Sequence, residues 1–223
     1  MKIYKHSGTT GDLVYSLDIV KKMAQQDVIF KVAIGNIENC IMKYTGRPAD
    51  VAPEHQGRFT ERDFEMLRPL LQRQPYIETV ARWYPGDEEA DVVLDHYRSY
   101  LYRKFEGNIL EAYHGAFGLP FTSANYADTW LEADAEPVAP IVVNRTTRYL
   151  DPAAEATWRQ WAQDADLAHN GVFVGIESEH EAFVQMTGCA IPYRPVADFL
   201  ELANVIAGAD LFIGNQKIGR AHV

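Results

Sequence analysis

One acidic side chain, placed where a helix begins directly after a short β-like run, is the arrangement in this chain best suited to chemistry. Met1-Lys2-Ile3-Tyr4-Lys5-His6 is the run, and Ser7-Gly8-Thr9-Thr10-Gly11-Asp12 follows it. Leu13, Leu17, Val20 and Ala24 then recur at i, i+4, i+7 and i+11, one face of an amphipathic helix. The order is strand, small-residue loop, helix. In an open α/β sheet ligands bind beyond the carboxyl ends of the strands, where helix N-termini present free N–H groups. Asp12 has two readings at such a place. It caps the helix, an interaction worth about 0.5–2 kcal/mol, or it is a general base within reach of a substrate hydroxyl. Gly8 and Gly11 do not make a G-x-G-x-x-G pattern and no Lys-Ser/Thr pair follows, so neither the dinucleotide fingerprint nor a P-loop is present.

A second chemistry-bearing stretch is Asp95-His96-Tyr97-Arg98-Ser99-Tyr100-Leu101-Tyr102-Arg103-Lys104. Tyrosines interleaved with arginines line sugar or phosphate sites through stacking and bidentate hydrogen bonds. They also make ordinary packed amphipathic segments whose charged ends lie in water. The seven histidines carry no zinc signature; His180, among Glu177, Glu179 and Glu181, lacks a second histidine on its face, so no metal ligand is assigned. No G-x-S-x-G elbow supports serine-hydrolase chemistry.

The elements that must position these groups follow from the pattern. Residues 27–34 read as a second strand, completing a parallel, right-handed strand–helix–strand unit. Residues 45–59 are polar and Pro/Gly-bearing, a loop; Thr60 then caps a helix, with Asp63 three residues on and Phe64, Leu67, Leu70 and Leu71 as its apolar stripe. A strand over 76–83, an irregular stretch, and a helix over 109–117 closed by Gly118 come next. The acidic, proline-bearing stretch 132–140 is the best linker in the chain. After it the pattern restarts: strand 141–144, helix 153–162, strand 171–175, a helix through Met186, an Asp198-capped helix with Glu201 at N3 ended by Gly208, and strand 210–214.

Composition bounds the function. At 223 residues, 47% hydrophobic and with a formal net charge of -10, the chain is globular, and nucleic acid is disfavoured as a partner. The same charge weighs against a broad basic docking face and leaves room only for peripheral membrane contact. There is no run of about 18 apolar residues and no signal-peptide core. Cys40 and Cys189 are far apart, and the expected setting is reduced and cytoplasmic.

Four pieces in order resemble the heptosyltransferase family, the inverting two-domain glycosyltransferases of lipopolysaccharide synthesis, and more closely its divergent relatives. Gly11-Asp12-Leu13 with Leu17 resembles the family's opening loop; Thr146-Thr147-Arg148 ahead of a helix with Trp158 resembles the first loop of the nucleotide-binding half. Gly175-Ile176-Glu177 resembles the stretch whose Glu contacts the nucleotide ribose, and residues 200–214 resemble the strand entering the diphosphate-binding loop. The resemblance implies a GT-B-like α/β fold: an N-terminal acceptor-side Rossmann-like domain over 1–135 and a partial nucleotide-sugar-binding one over 140–216, facing across a cleft. It implies Asp12 as the base, Arg148 and Thr147 on the donor diphosphate with Thr146 and Asn215 beside them, and Glu177 on the ribose. The partners it implies are a nucleotide sugar, which is a substrate rather than a cofactor, and a glycan or glycolipid acceptor. Two departures fall on the donor side. Tyr149-Leu150-Asp151-Pro152 stands where the family has Lys and Trp-Pro, and Asn215-Gln216-Lys217 replaces Asp-Ser/Thr-Gly. They motivate alternatives: a non-catalytic binding protein on the same fold, or a nucleotide-sugar epimerase or hydrolase.

The tail Ile218-Gly219-Arg220-Ala221-His222-Val223 has no apolar period and equals what the sequencing-adapter stretch ATCGGAAGAGCACACGTC encodes in one frame. Residues 217–223 are therefore expected to be a non-native read-through on a truncated reading frame, leaving the second domain incomplete and the chain inactive.

Overall fold

The computed structural model describes residues 1–24, 27–34, 59–84, 86–98, 100, 107–146 and 154–214. The chain divides into two compact units, Met1–Glu132 and Ala133–Gly219. Among the described residues each unit holds a four-stranded, all-parallel sheet. The fold is α/β, of the Rossmann-like kind.

In the first unit β1 (Lys2–His6), β2 (Val28–Ala33), β3 (Thr79–Trp83) and β4 (Val92–Val93) lie in the order β3-β2-β1-β4. The period of two in β1 buries Tyr4 and His6, and Tyr4 sits in register between Phe30 and Val92. Helix α1 (Thr10–Met23) joins β1 to β2. The expected stripe of Leu13, Leu17 and Val20 is fully buried, and Tyr15, Ser16, Asp18 and Ile19 are buried with it. The helix is enclosed on more than one side because α3 (Ile109–Ala116) packs along it. Burying each of these aliphatic side chains contributes about 1.5–3 kcal/mol.

Helix α2 (Glu61–Gln72) starts as its sequence requires. The Thr60 hydroxyl accepts from the Asp63 N–H at 3.1 Å, and the Asp63 carboxylate accepts from the Thr60 N–H at 2.8 Å. A short 3-10 turn, Ser123–Ala127, follows α3.

The second unit repeats the plan. Strands β5 (Ile141–Asn144), β6 (Gly171–Val174), β7 (Tyr193–Arg194) and β8 (Leu211–Gly214) are ordered β7-β6-β5-β8. Its helices are α4 (Glu155–Asp164), α5 (Leu167–Asn170), α6 (Glu177–Thr187) and α7 (Phe199–Ala207). Val143 and Phe173 pack with Trp158, Ala162, Leu167, Phe183 and Ile191. Val142, Val172 and Val174 pack with Val205 in a separate cluster. Alternate residues of the same strands thus feed two cores, so both sheet faces are covered and the strands read as continuous apolar runs. Asp198 caps α7 by accepting from the Leu200 and Glu201 N–H groups at 2.8 and 2.9 Å. No described helix is long and apolar enough to cross a membrane.

Candidate functional site

The order β3-β2-β1-β4 places β1 between a strand that follows it directly and one that returns much later in the chain. Connections diverge from such a point and leave a crevice at the carboxyl ends of the two strands. The loop after β1 and the segment after β4 meet there. Ser7 donates through its N–H to Asp95 Oδ2 at 3.0 Å and through its hydroxyl to Asp95 Oδ1 at 2.7 Å.

Asp12 lies one turn into α1 and is not the cap. Thr9 is the N-cap, and Asp12, at N3, accepts the Thr9 N–H at 3.0 Å and the Thr9 hydroxyl at 3.1 Å on Oδ2. The N-cap is the residue whose backbone leaves the helix, and that is Thr9, while Asp12 reaches back from inside the first turn to take up the Thr9 N–H. Arg98, just beyond β4, donates from Nη2 to the same Oδ2 at 2.8 Å, and its Nε lies 3.7 Å from Asp95 Oδ1. The Tyr97 hydroxyl also donates to the Asp12 carboxylate. The Tyr97 ring stacks on Tyr113 of α3, with centroids 4.1 Å apart, and the Arg98 guanidinium sits over it at 5.1 Å.

His6 closes the inner wall. The Gly8 N–H donates to Nδ1 at 2.7 Å, so Nδ1 carries a lone pair and the proton of the neutral ring is on Nε2. Nε2–H then donates to the Tyr113 hydroxyl at 2.6 Å, and that hydroxyl donates to the Asp12 carbonyl at 2.9 Å. Burial lowers the His6 pKa, outweighing the pull of Asp95 and Asp12 in the other direction. Gly8 is required here by space: a Cβ would stand 2.5 Å from His6 Cε1 and 2.6 Å from Asp12 Cβ.

The electrostatics make Asp12 an anion. Burial pushes its carboxyl up, but the Arg98 guanidinium foremost, with the Tyr97 hydroxyl and the Thr9 N–H, holds it below the usual carboxylate value. Arg98 is correspondingly held as a cation: burial works against its charge, and Tyr97, Asp12 and Asp95 outweigh that. Burial raises the Tyr97 and Tyr113 hydroxyls well above their usual value, so both remain protonated donors. The Asp12 and Arg98 side chains keep 17% and 12% of their surface exposed, enough for a ligand to touch the pair. Such a pair can accept hydrogen bonds from hydroxyls and attract an anion.

In the second unit Thr146 follows β5 and is buried, and Glu177 opens α6 and is exposed. Strands β5 and β6 are adjacent and parallel, so both residues stand at the carboxyl edge of one sheet. The Asn144 amide donates to the Val174 carbonyl at 2.7 Å and ties those two strand ends together. Gly175 then turns with φ +137°, a conformation that favours glycine. Thr147, Arg148 and Asn215 lie outside the described residues, as do Cys40, most of the 45–59 loop, residues 149–152 and the tail. His180 is engaged in packing: its ring stacks on Tyr193 and its Nε2–H donates to the Ile191 carbonyl at 2.8 Å.

His6, Asp95, Tyr97, Arg98 and Tyr113 surround Asp12 although the sequence pattern assigned none of them to it. The Tyr/Arg run hinted at Arg98, but the pairing spans 86 residues of chain and no local period reports it. No family model, curated protein or solved structure matches the chain.

Proposed function

We propose that this chain is a sugar-transferring protein of the inverting, nucleotide-sugar-dependent kind, with Asp12 as the group that takes the acceptor's proton. The observation that carries this reading is the ionised, partly exposed Asp12 beside the β1/β4 strand ends, a position where α/β sheets bind ligands. In the step, an acceptor O–H bond breaks as its oxygen forms a bond to the anomeric carbon. The proton passes to Asp12. The bond from that carbon to the donor phosphate breaks on the opposite face, and its electron pair leaves with the diphosphate. Arg98 holds the carboxylate in place before the proton arrives. The finer architecture that belongs with this reading is GT-B, with Thr146, Thr147, Arg148, Glu177 and Asn215 on the donor side.

A non-catalytic binding protein is the second reading, and one feature favours it. Asp12 Oδ2 already receives the Thr9 N–H, the Thr9 hydroxyl and Arg98 Nη2, which lowers its proton affinity and suits binding more than proton abstraction. In a protein whose nucleotide-binding half is complete, calorimetry with a panel of nucleotide sugars, followed by product analysis with and without acceptor, separates the readings. Transfer requires turnover that falls by roughly 10²–10⁴-fold in Asp12→Asn. Binding without turnover supports the second reading, release of free sugar without acceptor indicates a hydrolase, and absence of binding sinks both proposals.

A further inference from the structure

A second buried polar cluster lies on α1, nearly two turns beyond Asp12. Asp18 and His114 are each almost completely buried, and His114 Nε2 is 2.6 Å from Asp18 Oδ2. The other ring nitrogen, Nδ1, is 2.7 Å from the Pro120 carbonyl oxygen. Lys22 Nζ donates to Asp18 Oδ1 at 2.5 Å and to Asp128 Oδ2 at 2.8 Å, and stands 3.5 Å from His114 Nε2. The Phe121 ring meets the imidazole edge-on at 5.0 Å. Tyr76, whose hydroxyl donates to the Trp130 carbonyl, feels the Asp18 charge.

A proton count decides what this geometry needs. The Pro120 carbonyl only accepts, so Nδ1 must carry a hydrogen. An ionised Asp18 also only accepts, so Nε2 must carry one as well. A neutral ring would set one bare nitrogen against an oxygen that only accepts, either Nε2 against the Asp18 carboxylate at 2.6 Å or Nδ1 against the Pro120 carbonyl at 2.7 Å, and the Lys22 ammonium, 3.5 Å from Nε2, is at the limit of reach for a hydrogen bond. A proton on Asp18 would also remove the clash, but it would break up the ion pair that the other carboxylate oxygen makes with Lys22. With His114 as a cation the cluster closes: Asp18 and Asp128 are negative, Lys22 and His114 positive.

We propose that His114 is a buried imidazolium, locked between Asp18 and Pro120, and that it is the positioning residue seating α3 on α1. Its neighbour Tyr113 is the α3 residue that bonds both the Asp12 carbonyl and His6. Two successive α3 side chains therefore grip α1, one at the Asp12 turn and one at Asp18. Loss of the His114 grip loosens the other. The consequence for catalysis rests on the reading of Asp12 as the reacting carboxylate; the imidazolium itself does not.

The test begins on the unaltered chain. In a long-range ¹H–¹⁵N spectrum of the histidine-labelled protein at about pH 7, where an ordinary histidine is mostly neutral, both His114 nitrogens should appear as N–H nitrogens. His114→Gln assigns the signals. A His114 ring with one unprotonated nitrogen overturns the proposal. For the positioning role, the Asp12 carboxyl is titrated by its ¹³C shift in His114→Gln and in Phe64→Leu, a core truncation on α2. The midpoint should move, and α3 amide exchange should quicken at least ~10-fold, in the His114 variant only. An Asp12 midpoint unmoved in His114→Gln, or moved equally in both variants, overturns the positioning role. None of these readouts uses a nucleotide sugar, so they stand or fall apart from the proposed transfer activity.

Discussion

The loop between β1 and α1 holds two glycines that the same substitution should affect with opposite sign. Neither has positive φ, so the difference is one of space. At Gly8 an added Cβ would stand 2.5 Å from His6 Cε1, 2.6 Å from Asp12 Cβ and 2.7 Å from Asp12 Oδ2. None of these is the far end of a free side chain. His6 is held by Tyr113 and by the Gly8 N–H itself, and Asp12 by Thr9 and Arg98. Gly8→Ala must therefore move a ring or a helix turn, at an overpacking cost of about 1–3 kcal/mol. At Gly11, inside the first turn of α1, a Cβ meets nothing within 4 Å. Gly11→Ala should stabilise the chain by about 0.4–1 kcal/mol through the reduced entropy of the unfolded state. The two variants should thus differ by about 1.5–4 kcal/mol. At about 2–4 °C per kcal/mol for a chain of this size, that separates their melting temperatures by roughly 3–16 °C, with the parent between them. Thermal unfolding followed by circular dichroism, checked by urea midpoints at unchanged m, is the assay. A Gly8→Ala variant as stable as the parent would refute the packing of His6 and Asp12 described above.

Two further perturbations probe the same residues. Asp12→Asn keeps an acceptor for the Thr9 N–H but removes the charge opposite Arg98. Stability should fall by about 1–3 kcal/mol, and a cycle with Arg98→Met should return most of that as coupling; additive single effects would mean the 2.8 Å pair contributes nothing. Acid should act in two stages. The folded His6 pKa lies below its usual 6.5, so the unfolded chain takes up the proton first and stability falls as pH drops below about 6.5, by at most ~1.4 kcal/mol per pH unit. The Asp12 value is depressed from 3.8, so its contribution is present above that pH and is lost as pH falls through the folded value. His6→Asn, whose Oδ1 can still accept from Gly8, should remove the first stage and leave the second, as urea midpoints between about pH 7 and pH 3 would reveal. An unchanged first stage would assign it to another group.

The alternation of strands and helices was legible because it is written in local terms. Leu13, Leu17 and Val20 mark α1 by their spacing, the Thr60/Asp63 and Asp198 caps mark where α2 and α7 begin, and Gly208 marks an end. These signals act within one or two turns, so a linear reading contains them. The two-residue strands β4 and β7 are too short for any period, and only pairing with β1 and β6 makes them strands. Asp12 stood out in the sequence as a polar residue at a helix start, yet its role as a cap passed to Thr9 because backbone direction at the turn selects the capping residue. What Asp12 bonds instead was decided by the order of the sheet. Placing β4 beside β1 carries Asp95, Tyr97 and Arg98 to the β1 loop, and folding α3 onto α1 brings Tyr113 to Asp12 and His114 to Asp18. A buried charge network forms only when distant segments share one dry volume, since it is the loss of water that makes each partner necessary.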